Sequence, residues 1–159
     1  MGSRSKVDLA YIAGFLDGDG SLMLQLKKRS DSKLKKRFMP TICFYQDTRH
    51  EKTLYWIRSV LDIGYISRRN DGITELRING YKQVRDILRS LLPYVRFKKL
   101  QAAALYSATR LLSETMFRHL TKRKLLRLVA LMLVIQNENY VTKRKKTKKE
   151  LLQLLDLTP

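Results

Sequence analysis

The chain has 159 residues, the length of one ordinary domain, and 44% of them are hydrophobic, which is enough to bury a core. Its 33 Lys and Arg residues against 14 Asp and Glu residues give a formal net charge of +19. Because such an excess repels itself in the folded state, it indicates a polyanionic partner, with nucleic acid ahead of an anionic membrane surface. The longest apolar stretch, residues 125–135, contains Arg127 and is far shorter than the roughly 20 residues of a membrane-spanning helix. A single cysteine, Cys43, excludes an internal disulfide framework and is typical of a reducing intracellular compartment.

The first third of the chain alternates between helix and strand patterns. Helical spacing predicts a helix over residues 8–16 that ends at a glycine-rich turn. Alternating apolar and polar residues predict half-buried strands over residues 21–28 and 38–46. Pro40 cannot donate a hydrogen bond to a neighbouring strand, so it indicates a sheet edge or a bulge. The pattern Thr48-x-x-Glu51 is a capping box that predicts the start of the next helix.

The rest of the chain continues with two short strands and then helices. These strands and helices are predicted over residues 65–69, 73–79, 81–92, 95–112, 121–137 and from Thr147 onward. The order predicts an α+β fold with an αββαββα core, an antiparallel sheet with helices packed on one face, and extra C-terminal helices. Without an internal repeat or a linker, we expect one domain over residues 8–142. It is preceded by a tail, 1–7, and followed by a basic segment and short helix, 143–159.

A stripe of small residues lies on one face of the first predicted helix. Ala10, Ala13, Gly14 and Asp17 share this face because their spacing matches the helical period. Gly14 within a helix costs roughly 1 kcal/mol relative to Ala, and close approach of a second helix would account for that cost. The stripe therefore predicts a helix–helix interface.

Two carboxylates, Asp17 and Asp19, stand at the end of the same helix. The negative end of the helix dipole disfavours carboxylates, whereas a bound cation would reverse that effect. Gly18 and Gly20 flank Asp19 and leave backbone carbonyls accessible to a hard cation. The alternative is a polar turn without a ligand, and the preceding small-residue stripe favours the cation site.

Residues 12–20, Ile-Ala-Gly-Phe-Leu-Asp-Gly-Asp-Gly, resemble the signature of the LAGLIDADG homing endonucleases, with Ile in place of the first Leu. The order of elements also fits over about residues 8–112. The resemblance implies a saddle-like sheet and, since the chain has one motif, a homodimer that cleaves a long, nearly palindromic double-stranded DNA site. It also implies Mg²⁺, or another divalent ion such as Mn²⁺, held by Asp19 and the carbonyl of Gly18 for phosphodiester hydrolysis. Asp17 is implied at the dimer interface, with a capping role as the equal alternative.

The resemblance also implies further active-site positions. Gln46 matches a polar residue that orients solvent, with strand-end hydrogen bonding as the alternative. Either Arg49 or His50 matches a basic residue beside the cleavage site. A basic run resembles the one that supplies an active-site lysine in the family. Our alignment places Leu100 at the lysine position, so Lys98 is the nearest candidate, with a plain phosphate contact as its alternative.

Strand alternation predicts a ribbon of outward side chains that contact the major groove. The predicted DNA-binding residues are Gln25, Lys27, Arg29, Arg37, Thr41, Tyr45, Arg49, Ser67, Arg69, Glu75 and Arg77. Glu75 would accept a hydrogen bond from cytosine or hold a neighbouring arginine. The basic run over residues 143–149 predicts non-specific phosphate contacts, with a solvated run as the alternative.

Two other functions fit parts of the pattern. One is a non-cleaving intron RNA maturase or DNA-binding protein on the same fold, which Leu100 leaves open and Asp19 argues against. The other is a generic basic RNA-binding protein, which has no need of a small-residue helix ending in two acids. The resemblance further implies an intron-borne gene in a chloroplast, a mitochondrion or an archaeon.

Overall fold

The computed structural model describes residues 4–28, 36–140 and 143–157. Within these ranges the helices and strands follow the predicted α+β order, with three helices after the αββαββα core. They are α1 Lys6–Asp19, β1 Gly20–Lys28, β2 Lys36–Asp47, α2 Lys52–Leu61, β3 Tyr65–Arg68, β4 Ile73–Asn79, α3 Tyr81–Leu91, α4 Lys99–Glu114, α5 Lys122–Glu138 and α6 Lys148–Leu154. No helix in the described ranges is both long enough and apolar enough to cross a membrane.

The four strands form one antiparallel sheet in the order β1-β2-β4-β3. One cross-strand row joins Leu22, Ile42 and Ile78, which are all buried on the face that the helices cover. β2 is a central strand, in contrast to the edge position that Pro40 indicates. However, β4 pairs with β2 only from Thr41 onward, so Pro40 has a neighbouring strand on the β1 side alone.

The helices bury their apolar stripes against the inner face of this sheet. The stripe predicted for α2 is confirmed, because Leu54, Ile57 and Leu61 are fully buried. Phe38 and Phe44 also point into the core, as the alternation in β2 predicts. Burial of these side chains removes apolar surface from water and holds the helical layer against the sheet.

The helix predicted over residues 95–112 begins later, at Lys99. The backbone N–H groups of Arg96 and Lys98 donate instead to the carboxylate of Asp17, at 2.7 and 3.0 Å. A long-range contact therefore holds this segment in a non-helical path that its local sequence pattern does not reveal. The first helix, by contrast, extends beyond its predicted bounds at both ends.

The capping box predicted at Thr48 does not form. The Thr48 hydroxyl donates to the carbonyl of Gly72 at 2.9 Å, and the carboxylate of Glu51 accepts from Arg68 and Thr74. These contacts join the short 3₁₀ turn before α2 to the β3–β4 hairpin. At Thr147, which precedes the last helix, the hydroxyl oxygen accepts the N–H of Glu150 at 3.2 Å and so caps the start of that helix.

Helix α6 belongs to the same core as the sheet. Leu151 is fully buried, and Leu155, just after the helix, is also buried in this core. The ammonium of Lys36, at the start of β2, donates to the carbonyl of Leu154 and lies 3.5 Å from the carboxylate of Asp156. The C-terminal helix is thus packed on the domain rather than attached to it by its chain alone.

We expect Leu151→Ala to lower the free energy of unfolding by about 2–5 kcal/mol, because it removes a fully buried side chain and leaves a cavity. The matched control is Gln153→Ala on the exposed side of α6. Urea unfolding measures both. Equal stability of the two variants would contradict the assignment of α6 to the common core.

Candidate active site and nucleic-acid interface

The end of α1 is tied to the residues before α4 by the side chain of Asp17. This carboxylate is 4% exposed, and its two oxygens each accept one backbone N–H, from Arg96 and from Lys98. The dimer-interface role predicted for Asp17 is therefore wrong for its side chain, which is used inside the subunit. Its alternative role in capping the end of the helix is not what the carboxylate does either, because it accepts N–H groups from another segment, and the donor to the helix-end carbonyls is Lys98.

The side chain of Lys98 completes the connection. Its ammonium nitrogen lies 2.8 Å from each of three carbonyl oxygens, those of Leu16, Asp17 and Gly20. Two of these carbonyls, those of Leu16 and Asp17, lie at the negative end of the helix dipole, and that of Gly20 lies at the start of β1. Burial lowers the pKa of the Lys98 ammonium below its ordinary value, and the charges of Asp17 and Asp19 oppose this shift.

The structure places Lys98, and not position 100, beside the acidic end of α1. Leu100 lies on α4 and is 61% exposed. Of the two positions, the geometry therefore favours Lys98, the nearest candidate from the sequence, over Leu100.

Asp19 is the last residue of α1, and its side chain points into solvent. Unlike Asp17, its carboxylate forms no hydrogen bond or ion pair with the described part of the chain. The Lys98 ammonium donates to the carbonyls of Asp17 and Gly20, and no such bond is made to the carbonyl of Gly18. One carboxylate and one carbonyl oxygen fit a hard divalent cation, although they are only part of a full ligand set. The described residues contain no cluster of three or more His, Cys, Asp or Glu side chains.

The polar residues at the end of β2 divide into bound and free groups. Gln46 accepts the N–H of Asp47 through its Oε1 at 2.8 Å, which is the strand-end bond expected as its alternative role. Asp47 accepts from Nε and Nη2 of Arg49 at 3.0 and 2.9 Å, and this pairing lowers the pKa of Asp47 to about 2. The adjacent His50 is exposed and has no such partner among the described residues. His50 is thus the freer of the two basic candidates.

The predicted small-residue stripe on α1 is split between the core and the surface. Ala10 and Gly14 are exposed, whereas Ala13 is fully buried beside Ile12. Successive residues of a helix point in directions about 100° apart around its axis. The edge of the buried face therefore falls between Ala13 and its neighbour Gly14. Ala13 therefore does not belong to the predicted interface, while Ala10 and Gly14 remain on an exposed line.

Large apolar side chains adjoin that exposed line. Val7, Tyr11 and Trp56 are 78%, 57% and 37% exposed and line one shallow cleft. The rings of Tyr11 and Trp56 pack edge to face with centroids 5.3 Å apart. We call Val7, Ala10, Tyr11, Gly14 and Trp56 the α1 surface. Exposed apolar groups of this kind mark a surface that a partner covers.

The outer face of the sheet carries most of the predicted DNA-binding residues. Those exposed or half-exposed there or at its margins are Gln25, Lys27, Arg37, Tyr45, Arg49, Ser67, Arg69 and Arg77. Thr41 is fully buried and donates to the side chain of Asn79 at 2.8 Å, so its predicted contact with DNA is wrong. Arg29 lies outside the described residues.

Glu75 takes the second of its two predicted roles. Its carboxylate is nearly buried and accepts from Arg77 Nε at 2.7 Å and from Arg69 Nη1 at 3.1 Å. Burial alone would raise the pKa of Glu75, but hydrogen bonds and charges from the two arginines outweigh it and lower the pKa. Glu75 therefore holds two guanidinium groups on the outer face and is not free to contact a base.

Three residues of the outer face, Ser21, Met23 and Asn79, were not among the DNA-binding residues predicted from the sequence. The register places Ser21 opposite Cys43, and places Met23 opposite Thr41, which in turn faces Asn79. The strand alternation that selected Gln25 and Arg77 extends to these positions.

Comparisons with known proteins agree with this geometry. The sequence profile of the family described as LAGLIDADG endonuclease matches residues 12–105, more than half of the chain. DNA endonuclease I-CvuI of Chlorella vulgaris is 32% identical over 99 residues, 62% of each chain. DNA endonuclease I-CreI of Chlamydomonas reinhardtii is 30% identical over 98 residues, 62% of this chain and 60% of the relative. The match thus spans about three fifths of these curated relatives.

Solved structures extend the likeness to almost the whole chain. A crystal structure of I-CvuI in complex with its target has a TM-score of 0.83 at 26% identity, and the match covers 95% of this chain and 94% of that one. An archaeal intron-encoded homing endonuclease, I-Vdi141I, complexed with DNA has a TM-score of 0.78 at 22% identity over 94% and 95% of the two chains, which supports the fold alone. With the profile match across the helix that ends at Asp19, the chain belongs to the LAGLIDADG endonuclease family.

Proposed function

We propose that this protein is a site-specific endonuclease that cleaves both strands of a long, nearly palindromic DNA target as a homodimer, by metal-dependent hydrolysis. The observation that carries this proposal is the exposed carboxylate of Asp19, which no described residue binds. It stands at the end of a helix in which buried Lys98 binds the carbonyls of Leu16 and Asp17. The relatives I-CvuI and I-CreI are named as DNA endonucleases.

In this proposal Asp19 and the carbonyl of Gly18 hold a divalent cation, Mg²⁺ or alternatively Mn²⁺. Such an ion, when bound, activates water and neutralises charge at the scissile phosphate. Crystal structures of I-CvuI with DNA were obtained in the presence of Mg and of Ca, which supports divalent metal use. Lys98 fixes the last turn of α1 and so the position of Asp19. Gln46 keeps its amide N–H groups available to orient the attacking water.

The outer face of the sheet supplies recognition. β1 and β2 contain 9 and 12 residues, and a strand of about nine residues spans roughly 30 Å, or about nine base pairs. Gln25 and Arg77 have the side chains that read adenine and guanine in the major groove. Lys27 and Arg37, paired across the strands, suit phosphate contacts. Glu75 holds Arg69 and Arg77 in place before DNA arrives.

The α1 surface supplies the dimer contact. A chain with one motif forms one half of the site, and a two-fold axis beside α1 brings a second Asp19 to the same DNA. Apart from its own helix backbone and chain neighbours, no atom of the described residues lies within 4 Å of the place where a Cβ of residue 14 would stand, so a partner helix has room to approach this backbone. A symmetric dimer then requires a symmetric target.

Asp19 is tested as the metal ligand. We expect Asp19→Asn to lower cleavage by on the order of 10³-fold or more, because it removes the charge that holds the cation, while DNA binding in Ca²⁺ is retained. The measurement is end sequencing of a random DNA library incubated with Mg²⁺ or Ca²⁺. Asp8→Asn at the other end of α1 is the matched control. Selection of DNA by the wild-type protein without cutting in any metal, or of structured RNA instead, would refute the endonuclease proposal.

Lys98 is tested as the residue that positions Asp19. We expect Lys98→Met to lower the free energy of unfolding by about 2 kcal/mol, since it removes the side-chain donor that three carbonyls share. The cleavage rate should fall by more than the loss of folded protein accounts for, because Lys98 no longer holds the end of α1 that carries Asp19. Lys99→Met, one residue away and exposed, is the control for both chemical denaturation and cleavage. Equal cleavage by the two variants would contradict the positioning role.

Gly14 is tested as part of the proposed dimer contact. We expect Gly14→Leu to convert the protein to monomers in sedimentation velocity, because the new side chain blocks helix contact, whereas its Cβ has no described atom within 4 Å outside its own helix backbone and chain neighbours. Ala130→Leu, on an exposed position of α5, should leave the dimer intact. A dimeric Gly14→Leu variant would place the interface elsewhere.

A further inference from the structure

The basic segment, residues 143–149, has six Lys or Arg side chains, and every residue in it is exposed. Among the ion pairs of the described residues, none involves this segment. Adjacent like charges repel one another and favour a solvated, disordered run. Something other than its own side chains must therefore hold such a segment in place.

Gln136, near the end of α5, makes that contact. Its Oε1 accepts the backbone N–H of Lys146 at 3.1 Å, and its Nε2 donates to the carbonyl of Lys146 at 3.3 Å. One neutral side-chain amide thus satisfies both backbone polar groups of a single residue, as a neighbouring β-strand would. We call these two hydrogen bonds between Gln136 and Lys146 the clamp. The clamp uses no charge, so the cations of the segment stay available for a ligand.

Asn139, one helical turn after Gln136, ties the same helix to the sheet. Its Nδ2 donates to the carbonyl of Leu22 in β1 at 2.9 Å. The edge of β1, the end of α5 and the basic segment together enclose a groove of about 310 Å³. Its polar lining includes Gln25 and Lys27 from the outer face of the sheet and Arg144 and Lys146 from the basic segment.

We propose that Gln136 is a positioning residue that holds the basic segment beside β1, so that its cations bind the phosphate backbone of the DNA whose bases β1 contacts. This inference rests on the proposed DNA-binding function. Cations held next to the strand neutralise phosphates without first being ordered, and ordering a free segment on binding would weaken affinity. The clamp therefore contributes affinity through the backbone of the segment, although Gln136 itself carries no charge.

The clamp is tested first in the free protein. Hydrogen exchange at the amide of Lys146 should be faster in Gln136→Ala than in the wild-type protein and unchanged in Asn137→Ala, its exposed neighbour on α5. Alanine favours the helix, so both variants are expected to fold. Equal exchange at Lys146 in all three proteins would overturn the clamp.

Binding is tested next with a mixed-sequence DNA duplex in Ca²⁺ at several salt concentrations. We expect Gln136→Ala to weaken binding about fivefold and to make the salt dependence shallower, because fewer phosphates are neutralised. Asn137→Ala should bind as the wild type does. In a background that carries Lys143→Gln, Arg144→Gln, Lys145→Gln, Lys146→Gln, Lys148→Gln and Lys149→Gln, which removes every cation of the segment, the effect of Gln136→Ala should fall within error.

The outcomes separate this inference from the function on which it rests. An equal loss of affinity in both backgrounds would show that Gln136 acts independently of the basic segment and would overturn the positioning role alone. Failure of the wild-type protein to bind any duplex would overturn the DNA-binding function and this inference with it.

Discussion

The contact between the end of α1 and residues 96–98 is the constraint on which the proposed site depends. Asp17 accepts two backbone N–H groups there, and Lys98 returns three hydrogen bonds to carbonyls at the junction of α1 and β1. This reciprocal arrangement satisfies buried polar groups from both segments, which would otherwise be costly to bury. It also separates the two acids of the motif: Asp17 is used inside the subunit, and Asp19 is left exposed at a rigidly held position.

The charge distribution follows a similar division of labour. The few carboxylates near the outer face of the sheet bind arginines, as Asp47 binds Arg49 and Glu75 binds Arg69 and Arg77. These pairs fix the direction of each guanidinium without removing the overall excess of cations, which stands at +19. The outer face is therefore both preorganised and strongly basic, which suits a long polyanionic ligand. The α1 surface, in contrast, is apolar and suits a second protein chain.

Local patterns predicted much of this correctly. The alternation in β1 and β2 identified which side chains face the core, and the helical period identified Leu54, Ile57 and Leu61 as the buried stripe of α2. The errors arose where distant segments meet. The box at Thr48 failed because its hydroxyl and Glu51 bind the β3–β4 hairpin. Thr41 proved buried between its cross-strand partners Met23 and Asn79, and its hydroxyl donates to Asn79. A period in the sequence reports the geometry of one element and not what packs beside it.

The amino-acid sequence by itself determined the α+β order, the basic charge, the small-residue helix that ends in Asp19, and the outward face of the strands. Each of these depends on residue type and on spacings of two to four positions, which the backbone period alone converts into structure. Only the tertiary structure decided that Asp17 is buried, that Lys98 and not Leu100 meets the helix end, and that Ala13 belongs to the core. These outcomes depend on contacts such as that between Asp17 and Lys98, 81 residues apart, and folding brings such groups together through burial and hydrogen bonding that no local pattern encodes.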